Sequence, residues 1–210
     1  MGRGGHLGLF KKIFISDTDA WKEFADEIGG EYIDRGFWKS KQVIVKYENW
    51  TIILDRFSRS TGKSTTTYTR IRVPLKTLDG LQFKVHKKSI FTNMGKIFGA
   101  KLIETGEGNF DRDFAIKGNN EVKIREIFSI DVIRDLISKQ ARFFLEIRDD
   151  EGYFNNNLSK GNYELHFESI GVIKDIDRLR DLFKIIGLLL KALSLSGSVS
   201  TDEVAIDNIK

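Results

Sequence analysis

The sequence predicts an α+β fold: antiparallel β-sheet with packing helices and a long amphipathic C-terminal helix. Three observations predict it. Apolar and polar residues alternate at period two through several runs in the first half of the chain. Apolar residues return to helical spacing between and after those runs, most strongly near the C-terminus. The strand signals come in series joined by short turns, and do not alternate one by one with helices, which selects an antiparallel sheet.

The elements follow in order. Asp17 or Thr18 can cap a first helix whose Trp21, Phe24, Ala25 and Ile28 recur at i, i+3, i+4 and i+7, with Gly29-Gly30 as its stop. Val43, Val45 and Tyr47 alternate with polar residues, Glu48-Asn49 makes a two-residue turn, and Trp50, Ile52 and Leu54 alternate again. Residues 65–73 are rich in β-branched side chains, and Leu81, Phe83 and Val85 alternate once more. The single proline, Pro74, stands where it can end a strand. Ile90, Phe91, Met94, Ile97 and Phe98 have helical spacing with Gly99 as the stop, and residues 110–117 read as a strand. Two short helices are expected over 122–128 and 130–137, the second capped by Ser129. Strands are expected over 142–148 and 162–167, with a turn at 149–152. From Asp175 onward, Ile176, Leu179, Leu182, Phe183, Ile186, Leu189, Leu190 and Leu193 trace a wide apolar stripe, and Gly197 follows it.

This divides the chain into an N-terminal segment (1–16), flexible or amphipathic, a single domain (17–197) and a polar tail (198–210). Within the domain, charge is uneven. Residues 1–100 carry 18 Lys or Arg against 10 Asp or Glu, and residues 101–210 carry 16 against 20. Opposite charge in the two halves means either that they face each other or that each faces a different partner. The chain has no cysteine, which excludes a disulfide framework, a thiol nucleophile and a thiolate zinc site. The start lacks the pattern of a signal peptide, and no apolar run reaches the roughly 20 residues of a membrane span. The expected setting is cytoplasmic, at most peripheral at a membrane.

The clustering of positive charge is the strongest functional signal. Between Arg35 and Lys96 lie fourteen Lys or Arg and three Asp or Glu. In the strand over 68–73, Tyr68, Arg70 and Arg72 share one face, because side chains alternate at period two. Lys84 and His86 share the polar face of the next strand, and a loop carrying Arg56, Arg59 and Lys63 adds to the same field. Such a face attracts phosphates on lipid, nucleic acid or a small ligand, so these seven residues are the expected anion-binding set. The partner is expected to be an anionic membrane surface or an acidic protein, with a nucleic acid as the alternative.

Other motifs are weaker. Ser60-Thr-Gly-Lys-Ser64 suggests a phosphate-binding loop, but the glycine needed five positions before Gly62 is Phe57, and a strand follows where a helix is required. Leu9, Phe10, Ile13 and Phe14 with two lysines form a short amphipathic segment, and Phe37 and Trp38 stand among cations. These aromatics, Phe10, Phe37 and Trp38, are candidates for membrane insertion or base stacking. Glu104, Glu107, Asp111 and Asp113 gather in sequence, and a hydrolase or metal-dependent enzyme using Glu104, Asp111 and Asp113 is the enzymatic alternative. The three histidines are scattered, and no cofactor or metal signature is read. The apolar stripe of the last helix can bury within the domain or pair with a second copy.

Four phrases, Tyr47-Glu-Asn-Trp-Thr51, Tyr68-Thr-Arg70, Lys96-Ile-Phe-Gly99 and Phe110-Asp-Arg-Asp-Phe-Ala-Ile-Lys-Gly118, together with the long closing helix, resemble a group of bacterial proteins of unknown function. The resemblance covers roughly residues 17–195 and implies a bacterial, cytoplasmic setting without catalytic residues. A more distant similarity to pleckstrin-homology-like bacterial domains rests on strands followed by a C-terminal helix and is one of fold alone.

Overall fold

The structure, a computed structural model, describes residues 16–34, 36, 41–90, 102–149 and 163–204. The first helix, α1 (Asp17–Ile28), is capped one residue earlier than expected. The Ser16 side chain accepts from the Asp19 N–H, and Asp17 falls inside the first turn, where its charge complements the helix N-terminus. Gly29 closes the helix at φ 66°, a conformation that costs a side-chain-free residue little.

A short strand that the alternation did not reveal, β1 (Glu31–Ile33), precedes β2 (Gln42–Tyr47), β3 (Trp50–Ser60), β4 (Thr65–Leu75) and β5 (Phe83–Lys87). The Glu48-Asn49 turn is present, with Tyr47 opposite Trp50. Pro74 does not end β4. Pairing with β3 stops at Arg72, so at Pro74 the strand has a neighbour on one side only, where a missing N–H is tolerated.

After a 3-10 turn (Lys88–Ile90), the expected helix over 90–98 lies outside the described residues beyond Ile90, as do the N-terminal segment to 15, Phe37, Trp38 and most of the 149–152 turn. The strand expected from 110 starts later. Phe110 to Asp113 belong to α2 (Gly108–Asp113), and β6 runs Phe114–Gly118. The Asp111 carboxylate causes the difference, accepting from the N–H groups of Thr105 and Gly106 and from the Thr105 hydroxyl, each at 2.9 Å. That closes a local turn that competes with an extended chain.

Helices α3 (Glu121–Phe128) and α4 (Asp131–Ser138) follow. Ser129 closes α3 and does not open α4, because the Arg134 side chain occupies the junction and donates to the Phe128 carbonyl. Strands β7 (Phe143–Asp149) and β8 (Tyr163–Ile170) lead to α5 (Ile176–Leu195), whose N-cap is Asp175. The tail begins later than 198. Val199 bridges Thr77 and is 2% exposed, and Ser198 accepts from the Leu78 N–H, so the chain docks before it leaves the surface.

Among the described residues, eight strands form one antiparallel sheet in the order β1-β2-β3-β4-β8-β7-β5-β6. A single line of register partners, Val43, Leu54, Ile71, Phe167, Leu145, Val85 and Ile116, crosses seven of them. Each is buried, and with the apolar stripes of α1, α3, α4 and α5 they make one core cluster. The helices therefore cover this face. Gly118 shows how tight the packing is, since an added Cβ would stand 2.2 Å from Ile124 Cδ1 and 2.5 Å from the Gln82 carbonyl oxygen. Gly118→Ala is expected to cost about 1–3 kcal/mol by overpacking, whereas Gly108→Ala, with nothing within 4 Å, is expected to change little. Denaturant midpoints of the two variants check this, and equal midpoints would contradict the packing described.

Candidate functional site: the charged face of the sheet

Side-chain alternation puts a different set on the opposite face. One row of partners runs Ile44, Ile53, Arg72, His166, Glu146, Lys84 and Lys117. The adjacent row runs Gln42, Asp55, Arg70, Glu168, Phe144, His86 and Ala115. Cations and carboxylates thus alternate across β3, β4, β8, β7 and β5, and they pair.

Asp55 receives Arg70 through two bonds of 2.7 Å and Arg72 through Nη2. Arg59 holds both oxygens of Glu168, at 2.9 and 3.1 Å. His166 lies between two carboxylates, with Nδ1 2.7 Å from Glu164 and Nε2 3.2 Å from Glu168. Arg148 reaches Glu164 at 3.1 Å, and Lys84 reaches Glu146 at 3.1 Å. Aromatic rings fill the spaces. Phe57 and Tyr68 stack at 5.1 Å, Arg59 and Arg70 lie over the Phe57 ring, and Lys84 lies over Phe144.

The layering has a sign. The Asp55, Glu164 and Glu168 side chains are 1%, 3% and 6% exposed, while Arg70 and Arg72 are 14%, Arg148 22% and Arg59 38% exposed. Carboxylates form the floor and longer guanidinium side chains fold over them. Lys84 and Glu146 sit at equal depth. Burial works to raise the Glu168 carboxyl, but the hydrogen bond and charge of His166, with Arg59, outweigh it and hold the group below its ordinary value. Burial pushes His86 down, and the charges of Lys84 and Lys117 add to that. Its protonated form is thus disfavoured, which works against the positive field expected of it.

Of the seven anticipated anion-binding residues, the fold brings Arg59, Arg70, Arg72, Lys84 and His86 to this face. Arg56, which sequence placed in a loop, lies on β3 and points to the other face. There its guanidinium pairs with Asp17 at 2.5 Å. Arg59 is also a strand residue, and Lys63 alone of the three lies in the turn that follows β3. Phe10, Phe37 and Trp38 lie outside the described residues. Sequence reading passed over Asp55, Glu146, Arg148, Glu164 and Glu168. Their signal was visible as polar alternation around Leu145 and Ile147, and around Leu165 and Phe167, but not who pairs with whom.

The acidic group is dispersed. Asp111 is held by its turn, Asp113 is exposed beside Arg112, and Glu104 is exposed. Among the described residues no cluster of three or more His, Asp or Glu is arranged to hold a metal ion. An open polar groove of about 700 Å³ lies between α2 and α4, where Arg134 pairs with Asp131 and Glu107. Beside the charged face, a cavity of about 20 Å³ between Tyr68, Phe144 and Glu168 has room for about one water. No described helix is long and apolar enough to cross a membrane. Comparison of the chain with protein-family models, curated proteins and solved structures returns no match.

Two outcomes follow for stability. Asp55→Ala strands two guanidinium groups and is expected to cost about 3–5 kcal/mol, the range for breaking a buried pair. Glu203→Ala, whose pair with Lys46 is exposed on both sides, is expected to cost less than about 1 kcal/mol. Comparable losses in chemical denaturation would contradict the depth assigned to the face. The second concerns pH. Because the folded Glu168 value is depressed from 4.5, its stabilising contribution is present above that pH and lost as pH falls through the folded value. Glu168→Gln should then flatten the acid limb of the stability profile relative to the parent, and parallel acid limbs would contradict the coupling.

Proposed function

We propose that the protein is a binding module, not a catalyst, and that its charged sheet face receives an anionic partner, an acidic protein segment foremost. The observation that carries this reading is the vertical order of the ion pairs, carboxylates beneath and guanidinium groups above. Whatever approaches the face meets positive groups first. Their planar forks suit carboxylates and phosphates in paired hydrogen bonds.

The depth of the cations favours a narrow partner over a flat one. A bilayer meets groups that stand out of a surface, and Arg70 and Arg72 are recessed. A carboxylate-bearing segment lying along the sheet reaches them, and Arg59 at the rim meets it first. The binding reading is preferred to catalysis because acids and bases on the face are engaged with one another and the Glu104–Asp113 carboxylates do not converge.

A fluorescently labelled oligoglutamate peptide, titrated with the full chain, tests the reading. Binding should weaken as salt rises, since exposed charges are screened over about 8–10 Å at moderate ionic strength. Arg59→Gln should weaken it several-fold. Anionic vesicles are the second probe. Co-sedimentation with vesicles and no peptide binding would transfer the site to a membrane surface, and peptide binding unchanged by Arg59→Gln would remove the face as the site.

A further inference from the structure

We infer that the tip of the β3–β4 ribbon grips the phosphate backbone of a nucleic-acid duplex. The inference rests on the reading that the protein binds anions, and it names a class of polyanion and the segment that meets it.

The strand registers isolate this segment. Pairing of β2 with β3 ends at Asp55, and pairing of β8 with β4 ends at Thr69, followed by a last bridge from Tyr68 to Gly171. Yet β3 and β4 go on pairing with each other as far as Ser60 and Thr65. Among the described residues, 58–67 is thus a two-stranded ribbon with no flanking strand on either side. Its three remaining rungs reach about 10 Å at strand spacing, and a turn in which the Thr61 N–H donates to the Ser64 carbonyl closes it.

The chemistry of the tip is narrow. Residues 58–67 read Ser-Arg-Ser-Thr-Gly-Lys-Ser-Thr-Thr-Thr: two cations, no acid, seven hydroxyls and no large apolar side chain. Positions 60–65 are all exposed. Lys63 is in ion-pair range of no carboxylate among the described residues, unlike Arg59, which holds Glu168 at the base of the ribbon.

Each feature discriminates between partners. A tip that enters lipid carries aromatic or aliphatic side chains, and a protein interface is centred on them; this one has neither. Hydroxyls, main-chain N–H groups and Lys or Arg are the usual donors to phosphate oxygens along a duplex. A two-stranded β-ribbon also has the cross-section that a groove about 12 Å wide admits. Hydroxyls around a single exposed lysine match the donor set that phosphate oxygens take, and the contact is assigned to the backbone and not to sequence.

Fluorescence anisotropy of the full chain with two labelled duplexes of unrelated sequence, across a salt series, is the test. The two duplexes should bind alike, at about 10⁻⁴–10⁻⁶ M, with log affinity falling against log salt at a slope of about −1 to −2, as one or two neutralised phosphates require. Lys63→Gln, an exposed change that leaves the fold alone, should reduce that slope by about one in both. Equal affinity and slope in the parent and Lys63→Gln would overturn the inference. Binding to oligoglutamate but to neither duplex would overturn it and leave the broader anion-binding reading standing, and binding to no polyanion would remove both.

Discussion

The pairing of β4 with β8 is the interaction on which the rest of the structure depends. It joins β1–β4, from the basic half of the chain, to the β8-β7-β5-β6 half of the sheet. At that seam Arg70 stands opposite Glu168, Arg72 opposite His166, and Pro74 opposite Glu164. The uneven division of charge along the sequence thereby finds its use. Arg59 of an early strand meets Glu168 of a late one, across a separation that local propensity does not bridge, while Arg70 and Arg72 pair with Asp55 on the neighbouring β3. Two readings of the charge asymmetry were open, and at this seam the halves face each other.

A seam of this kind constrains register more than an apolar one would. Slipping β8 by one residue against β4 would place Leu165 and Phe167 among the arginines and drive Glu164, His166 and Glu168 into the helix-covered core. The ionic face need not add much net stability, because desolvating charges offsets most of what their attraction returns. Its effect is to make the wrong alignments much worse than the right one. The apolar line of seven partners supplies the burial, and the charged rows on the other face supply the discrimination.

This division also explains how much was legible in the sequence. Period-two alternation located β2, β3 and β5, β-branched composition marked β4, and helical spacing located α1 and α5, because those patterns are local and the burial they encode is one-sided. Where two local preferences compete, the weaker pattern lost. Phe110 reads as strand by composition, but the Asp111 carboxylate satisfies three donors of the preceding loop and holds that stretch in α2. β1, three residues long, has too few positions to show a period. The candidate site was half legible. Arg70, Arg72 and Lys84 could be assigned to a face from alternation alone, and Arg56 was misplaced because β3 extends to Ser60, past the expected turn. The carboxylates that answer them could not be assigned, since their pairing follows strand order, and strand order is non-local.

The same pairing sets a thermodynamic condition on any ligand of this surface. An anion that takes Arg59 must displace Glu168, whose carboxylate is buried and would lose both hydrogen bonds from that guanidinium. His166 keeps contact with Glu168 when Arg59 leaves, so the released carboxylate is not stranded, and the exchange costs less than at Asp55, where Arg70 and Arg72 are the cations bound. Lys63 carries no such penalty, because no described carboxylate competes for it. Affinity for a polyanion should therefore be graded along the β3–β4 ribbon. It is greatest per charge at the exposed tip, lower at Arg59, and lowest at the buried arginines, which serve the fold before they serve a partner.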